Sequence, residues 1–207
     1  MITKEQYLAD PCRVSSIPYW KTEAFSIPDG MIILHHNEFA EAEYPQYIDD
    51  PYFRLLHDLK GLAEPELPRG YSLCTATLSD YAVHISSCYD EISIAEEELS
   101  RYLLRSVYNG NLWLSVKDDQ TGNIVATGIA ELDREIGEGV LEWIQVSKSH
   151  RGCGLGSYIV SQLLWRMKDQ AGFVTVSGRC CNPTNPEGLY RKCGFAGNDV
   201  WHILRKR

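Results

Sequence analysis

Val140-Leu141-Glu142-Trp143-Ile144-Gln145-Val146 alternates as a strand, and Arg151-Gly152-Cys153-Gly154-Leu155-Gly156 follows it as a glycine loop. Leu155, Ile159, Leu163 and Met167 then recur at four-residue steps, the spacing of one helix face. Strand, glycine loop and helix start together predict an anion site. The first turn of a helix has N–H groups without intrahelical acceptors, and its macrodipole favours negative charge there. Glycines let the loop take up positive φ and bring its backbone close to a phosphate. The first implication is a phosphorylated ligand.

Two common phosphate loops do not fit. A P-loop needs Gly-Lys-Ser or Gly-Lys-Thr, and neither triplet occurs in the chain. A dinucleotide loop needs a third glycine where Ser157 stands, and a long doubly wound sheet after it, for which too little chain remains. Arg151, Gly154 and Gly156 do fit Arg/Gln-x-x-Gly-x-Gly/Ala, and this loop resembles the pyrophosphate loop of the GNAT superfamily, the acyl-coenzyme A-dependent N-acyltransferases. A second match follows in the right order. Asn185-Pro186-Glu187-Gly188-Leu189-Tyr190-Arg191-Lys192-Cys193-Gly194-Phe195 is similar to the Asn…Leu-Tyr-x-x-x-Gly-Phe segment of that superfamily. Helix chemistry accounts for the same residues, with Asn185 as N-cap, Pro186 at the first helical position and Gly194 just past the end.

The resemblance implies acetyl-coenzyme A as cosubstrate and an amine as acceptor, with direct acyl transfer. It implies that Arg151, Gly152, Cys153, Gly154, Leu155, Gly156 and Ser157 hold the pyrophosphate mainly by backbone N–H groups. The backbone of Ile144, Gln145 and Val146 would pair with the pantetheine arm. Tyr190 matches the family's general acid, the hydroxyl that protonates the leaving sulfur. The family's asparagine stands about seven residues before that tyrosine; Asn185 is five before it and Asn182 eight, which leaves open which of them, if either, contacts the cofactor. Glu142 is the first candidate base, read as sharing a strand face with Val140, Ile144 and Val146, where apolar neighbours raise a carboxyl pKa. His202 is the second, with an ordinary pKa of ~6.5. His35, His36, His57, His84 and His150 have no supporting pattern, and Cys153 is expected to have no covalent role.

Two rival functions stand beside a small-molecule N-acetyltransferase. One is a non-catalytic acyl-coenzyme A sensor or scaffold; the other is an enzyme acting on protein lysines or N-termini. The formal charge of −8, from 20 Lys+Arg against 28 Asp+Glu, argues against nucleic-acid binding, which wants a basic face. It suits a cationic amine substrate. No run reaches the roughly eighteen apolar residues of a membrane span, and residues 1–12 contain no signal-peptide core. Seven cysteines without a Cys-x-x-Cys pair read as reduced thiols of a cytoplasmic protein, and no zinc spacing is present. The oligomeric state stays open, a homodimer included.

Residues 71–207 read as one α/β unit: strand, two helices, three strands, helix, strand, helix, strand. Strands are expected at 71–77, 111–117, 124–132, 140–146, 173–179 and 200–205, and helices at 79–89, from a capping box at Ser93-x-x-Glu96, from the loop to near Gly172, and at 186–193. That order is similar to the GNAT core and implies a mixed, mostly antiparallel twisted sheet flanked by helices. Residues 1–70 read as an N-terminal extension docked on that core, because they are too aromatic for a disordered tail. Within them Met31–Leu34 suggests a short strand. Pro51–Leu62 suggests an amphipathic helix with Phe53, Leu56 and Leu59 inward.

Overall fold

The computed structural model describes residues 2–90 and 92–207. In chain order its elements are α1 (Lys4–Ala9), α2 (Pro11–Val14), α3 (Tyr19–Thr22), β1 (Met31–His35), β2 (Tyr47–His57), β3 (Tyr71–Leu73), α4 (Leu78–Cys88), α5 (Glu96–Tyr102), β4 (Trp113–Asp118), β5 (Ile124–Asp133), β6 (Glu138–Val146), α6 (Leu155–Met167), β7 (Phe173–Arg179), α7 (Pro186–Lys192) and β8 (Ala196–Lys206). Short 3-10 turns join several of them. The eight strands form one mixed, mostly antiparallel sheet flanked by helices, as the α/β reading expects. Among the described residues no helix is long and apolar enough to cross a membrane.

The chain divides into two compact units, Leu59–Val174 and Met1–Asp58 with Thr175–Arg207. In the first, β6, β5, β4 and β3 lie in that order, each pair antiparallel. Helix α6 covers one face. Its predicted stripe of Leu155, Ile159, Leu163 and Met167 is buried throughout, each side chain contributing about 1.5–3 kcal/mol. The close approach needs small residues below: a Cβ on Gly128 would collide with Ile159, and one on Gly139 would come 2.5 Å from the Met167 sulfur. On the other face Ile129 packs with Tyr81, Ile85 and Leu99 of α4 and α5.

Several boundaries differ from the sequence reading. The strand expected at 71–77 ends at Leu73, the one expected at 111–117 begins at Trp113, and the last begins at Ala196 rather than at 200. Two helices differ as well. Helix α5 begins at Glu96 with Ala95 as N-cap and no side-chain cap bond, so Ser93 is not its capping residue. Glu96, Glu97 and Glu98 occupy its first turn instead, where the helix dipole favours carboxylates. It ends at Tyr102, and beyond it Leu103 is 38% and Leu104 87% exposed. Helix α6 stops at Met167, whose carbonyl then accepts the N–H groups of Gln170 and Ala171.

In the second unit the order is β1, β8, β2, β7, with β8 antiparallel to both β1 and β2. The expected helix at 51–62 is the central strand β2. Its helical spacing was coincidental: Phe53, Arg54 and Leu55 are all buried, because both faces of the strand are covered. Leu59, with φ 58, lies in a conformation no α-helix accepts. On one face Arg54, 2% exposed, donates to the Tyr7 hydroxyl at 2.8 Å, the Pro11 carbonyl at 3.4 Å and the Ser177 hydroxyl at 3.2 Å. On the other, Phe53 lies under Gly178 and 6.1 Å from the Tyr190 ring.

Candidate functional site

The loop after β6 has the conformation that its glycines predict. Gly152 and Gly154 have φ 80 and 83, and Gly154 is the N-cap of α6. Glycine offers no side-chain oxygen, and no side-chain bond caps this helix. The loop residues from Arg151 to Gly154 are exposed, and a Cβ on Gly152 would meet nothing within 4 Å. An exposed loop therefore leads into a helix whose positive end lacks its own capping oxygen, an arrangement suited to an anion. The Arg151 side chain is used otherwise. Its Nε donates to the Val146 carbonyl at 3.3 Å and an Nη to the Cys88 carbonyl at 3.5 Å, tying the loop to the end of α4.

Strand β6 is irregular just before the loop. Leu141 pairs with Ala130 and Trp143 with Ile129, so Glu142 is an extra residue, a β-bulge. The bulge changes the face on which residues lie. Val140 and Trp143 now share the α4 face, and Leu141, Ile144 and Val146 the α6 face. The expected alignment of Glu142 with Val140, Ile144 and Val146 is thus corrected, because a period of two fails across an inserted residue. Glu142 itself is half-buried. Gln145 is 4% exposed, with its amide donating to the Tyr89 hydroxyl at 3.3 Å. Any cofactor contact by Gln145 would therefore use its backbone.

A polar chain under this loop escaped the sequence reading. His84 Nδ1 lies 2.9 Å from the Thr127 hydroxyl and Nε2 3.1 Å from the Ser147 hydroxyl; Thr127 in turn donates to Gln145 at 3.4 Å. A neutral imidazole has one donor and one acceptor, so it satisfies both hydroxyls. Burial holds His84 below the ordinary histidine pKa. A signal was available: His84 stands three residues after Tyr81, on the buried stripe of α4. Replacing it by Ala should destabilise the protein by about 1–3 kcal/mol, the cost of leaving buried polar groups unsatisfied. The unfolded imidazole binds a proton near pH 6.5 more readily than the folded one, so stability should be full above that pH and fall below it. Denaturant unfolding of wild type and His84→Gln between pH 5 and 8 checks the sign; the wild type should lose more stability on acidification.

Four candidate site residues, Tyr190, Asn185, Asn182 and His202, belong to the other unit. Tyr190, on α7 and 7% exposed, packs against Phe53 and lies 5.7 Å from the Phe195 ring. Asn185 is the N-cap of α7 as predicted, its side chain accepting from Gly188 N–H at 3.1 Å. Asn182 accepts from the Thr184 N–H and hydroxyl instead. His202 lies on β8 with Nδ1 2.8 Å from Asp49 and its ring stacked at 3.8 Å on Phe39. Sequence alone did not reveal that carboxylate partner, since Asp49 is far from His202 along the chain.

Comparison with known proteins points to one family. Residues 109–196, which contain the bulged strand, the loop and α7, match the family model for an acetyltransferase (GNAT) domain. Over those residues the chain is similar to the GNAT superfamily of N-acetyltransferases. It is 28% identical over 152 residues to glucosamine 6-phosphate N-acetyltransferase of Candida albicans, covering 67% of this chain and 98% of that one. Its fold resembles a GCN5-related N-acetyltransferase from Sphaerobacter thermophilus, with a TM-score of 0.66 and 18% identity over 90% of this chain. A GNAT-family acetyltransferase from Colwellia psychrerythraea gives 0.59 and 16% over 84%. The chain spans 63% and 64% of those two structures. Both GNAT motifs quoted from the sequence, Arg151–Gly156 and Asn185–Phe195, fall wholly inside the matched residues.

Proposed function

We propose that this chain is an acetyl-coenzyme A-dependent N-acetyltransferase that transfers acetyl directly to a small amine. The observation that carries the reading is the loop at Arg151–Gly156. Two left-handed glycines deliver an exposed backbone to the uncapped start of α6. There the backbone of residues 151–157 would bind the pyrophosphate, and that of Ile144, Gln145 and Val146 the pantetheine arm. The side chains leave this role to the backbone, since Arg151 and Gln145 are engaged within the protein.

The acceptor attacks the thioester carbonyl as a free amine, so a base takes the ammonium proton and an acid returns one to the sulfur. Tyr190 is proposed as that acid on its motif, and Glu142 and His202 are the two candidate bases. Asn185 caps α7 and Asn182 accepts from Thr184, so both side-chain oxygens are already engaged within the protein. The fungal relative acts on glucosamine 6-phosphate, so a phosphorylated amino sugar is the first acceptor to test here. The free thiols support a cytoplasmic setting.

Ligand that binds only the folded state stabilises by RT ln(1 + [L]/Kd), about 2.7 kcal/mol at a hundredfold excess over Kd. The melting temperature should therefore rise with acetyl-coenzyme A and rise less with ATP or NAD. Equal responses to all three would remove the pantetheine from the account.

A further inference from the structure

A cavity of about 340 Å³ lies within the unit formed by Met1–Asp58 and Thr175–Arg207. Its volume is that of a small-ligand pocket. The register explains its polarity. Trp201, Ile203 and Arg205 alternate along one face of β8, with Tyr52 of β2 opposite Trp201 and Ile33 of β1 opposite Ile203. The walls are thus apolar along most of their length, and Phe25 completes them while remaining 44% exposed.

The stripe ends in charge. Arg205 lines the cavity, and Asp50 lies 3.8 Å from it and 3.0 Å from Arg179. Arg179 also donates through Nε to the hydroxyl of Tyr52, another cavity residue, at 3.1 Å. One carboxylate thus stands between two guanidiniums, both about half exposed. The pair of arginines matches an anionic head, because a guanidinium binds carboxylates through two parallel N–H groups. An ammonium head would meet their repulsion.

We propose that this cavity is a binding site for a small apolar carboxylate, its tail along Ile33, Trp201 and Ile203 and its head at Arg205 and Arg179. This proposal does not depend on the acetyltransferase reading. Calorimetric titration of the full chain with octanoate, 3-phenylpropionate and octylammonium tests it. At least one carboxylate should bind, and octylammonium should bind at least about tenfold more weakly, the scale of one charge-assisted hydrogen bond. Saturating coenzyme A should leave carboxylate binding unchanged. Arg205→Gln should weaken that binding about tenfold, and Ile33→Trp, which fills the cavity, should abolish it, with circular dichroism confirming the fold. Should Ile33→Trp not fold, the exposed Arg205→Gln still decides. The proposal is overturned if neither carboxylate binds at millimolar concentration, if octylammonium binds equally well, if coenzyme A competes, or if Arg205→Gln keeps wild-type affinity.

Discussion

Tyr190→Phe is expected to lower the acyl-transfer rate about 10²- to 10⁴-fold, the contribution of a positioned general acid, while leaving acetyl-coenzyme A affinity almost unchanged. A coenzyme A thiol has roughly the acidity of cysteine, pKa ~8.5, so its thiolate leaves more readily if a proton arrives as the intermediate collapses. A tyrosine, pKa ~10, is protonated at pH 7 and can give that proton. Phenylalanine keeps the ring that Phe53 and Phe195 pack against, so α7 stays docked on its sheet. The split between kcat and Kd is the informative readout. A kcat within a few-fold of wild type would make Tyr190 a packing residue. A kcat that falls only with cofactor affinity would make the phenol structural.

Gly154→Val should abolish the acetyl-coenzyme A-dependent rise in melting temperature, a loss of up to about 2.7 kcal/mol at a hundredfold ligand excess. Gly154 has φ 83, and a β-branched residue in the left-handed region costs on the order of 1–2 kcal/mol. Its new Cβ would touch the Pro68 ring at 3.5 Å, an ordinary contact, so the protein should still fold. The loop backbone would shift instead, and with it the N–H groups at the start of α6. Gly122→Val is the control. Gly122 has φ 71, with nothing within 4 Å of an added Cβ. That variant should lose comparable stability and keep the cofactor response. A response retained in Gly154→Val would mean that the loop is only a tight turn.

The chemistry-bearing segments were legible in the sequence because local rules govern them. Helix α6 shows the spacing of its buried stripe, and Asn185-Pro186 and Gly194 mark the two ends of α7. Strand β2 was misread because its environment is made elsewhere in the chain. It is covered by Tyr7 and Pro11 on one face and by Gly178 and Tyr190 on the other, so its pattern carries no period of two. The bulge at Glu142 was hidden for a related reason: only the partner strand reveals an extra residue. His202 illustrates the same limit, since its Asp49 neighbour comes from a strand that looked helical. His84 differs, because its place on the α4 stripe could be read, whereas its hydroxyl partners could not.

The most direct test of the central claim is release of free thiol from acetyl-coenzyme A by the full chain, measured with the acceptor mass. The screen should cover amino sugars, including glucosamine 6-phosphate, together with polyamines, aminoglycosides, amino acids and peptides. The expected result is thiol release that requires one of these amines, in equal amount to the N-acetylated product, and that collapses in Tyr190→Phe. Acetyl-coenzyme A binding without thiol release for any acceptor would contradict it and leave a non-catalytic acyl-coenzyme A-binding protein.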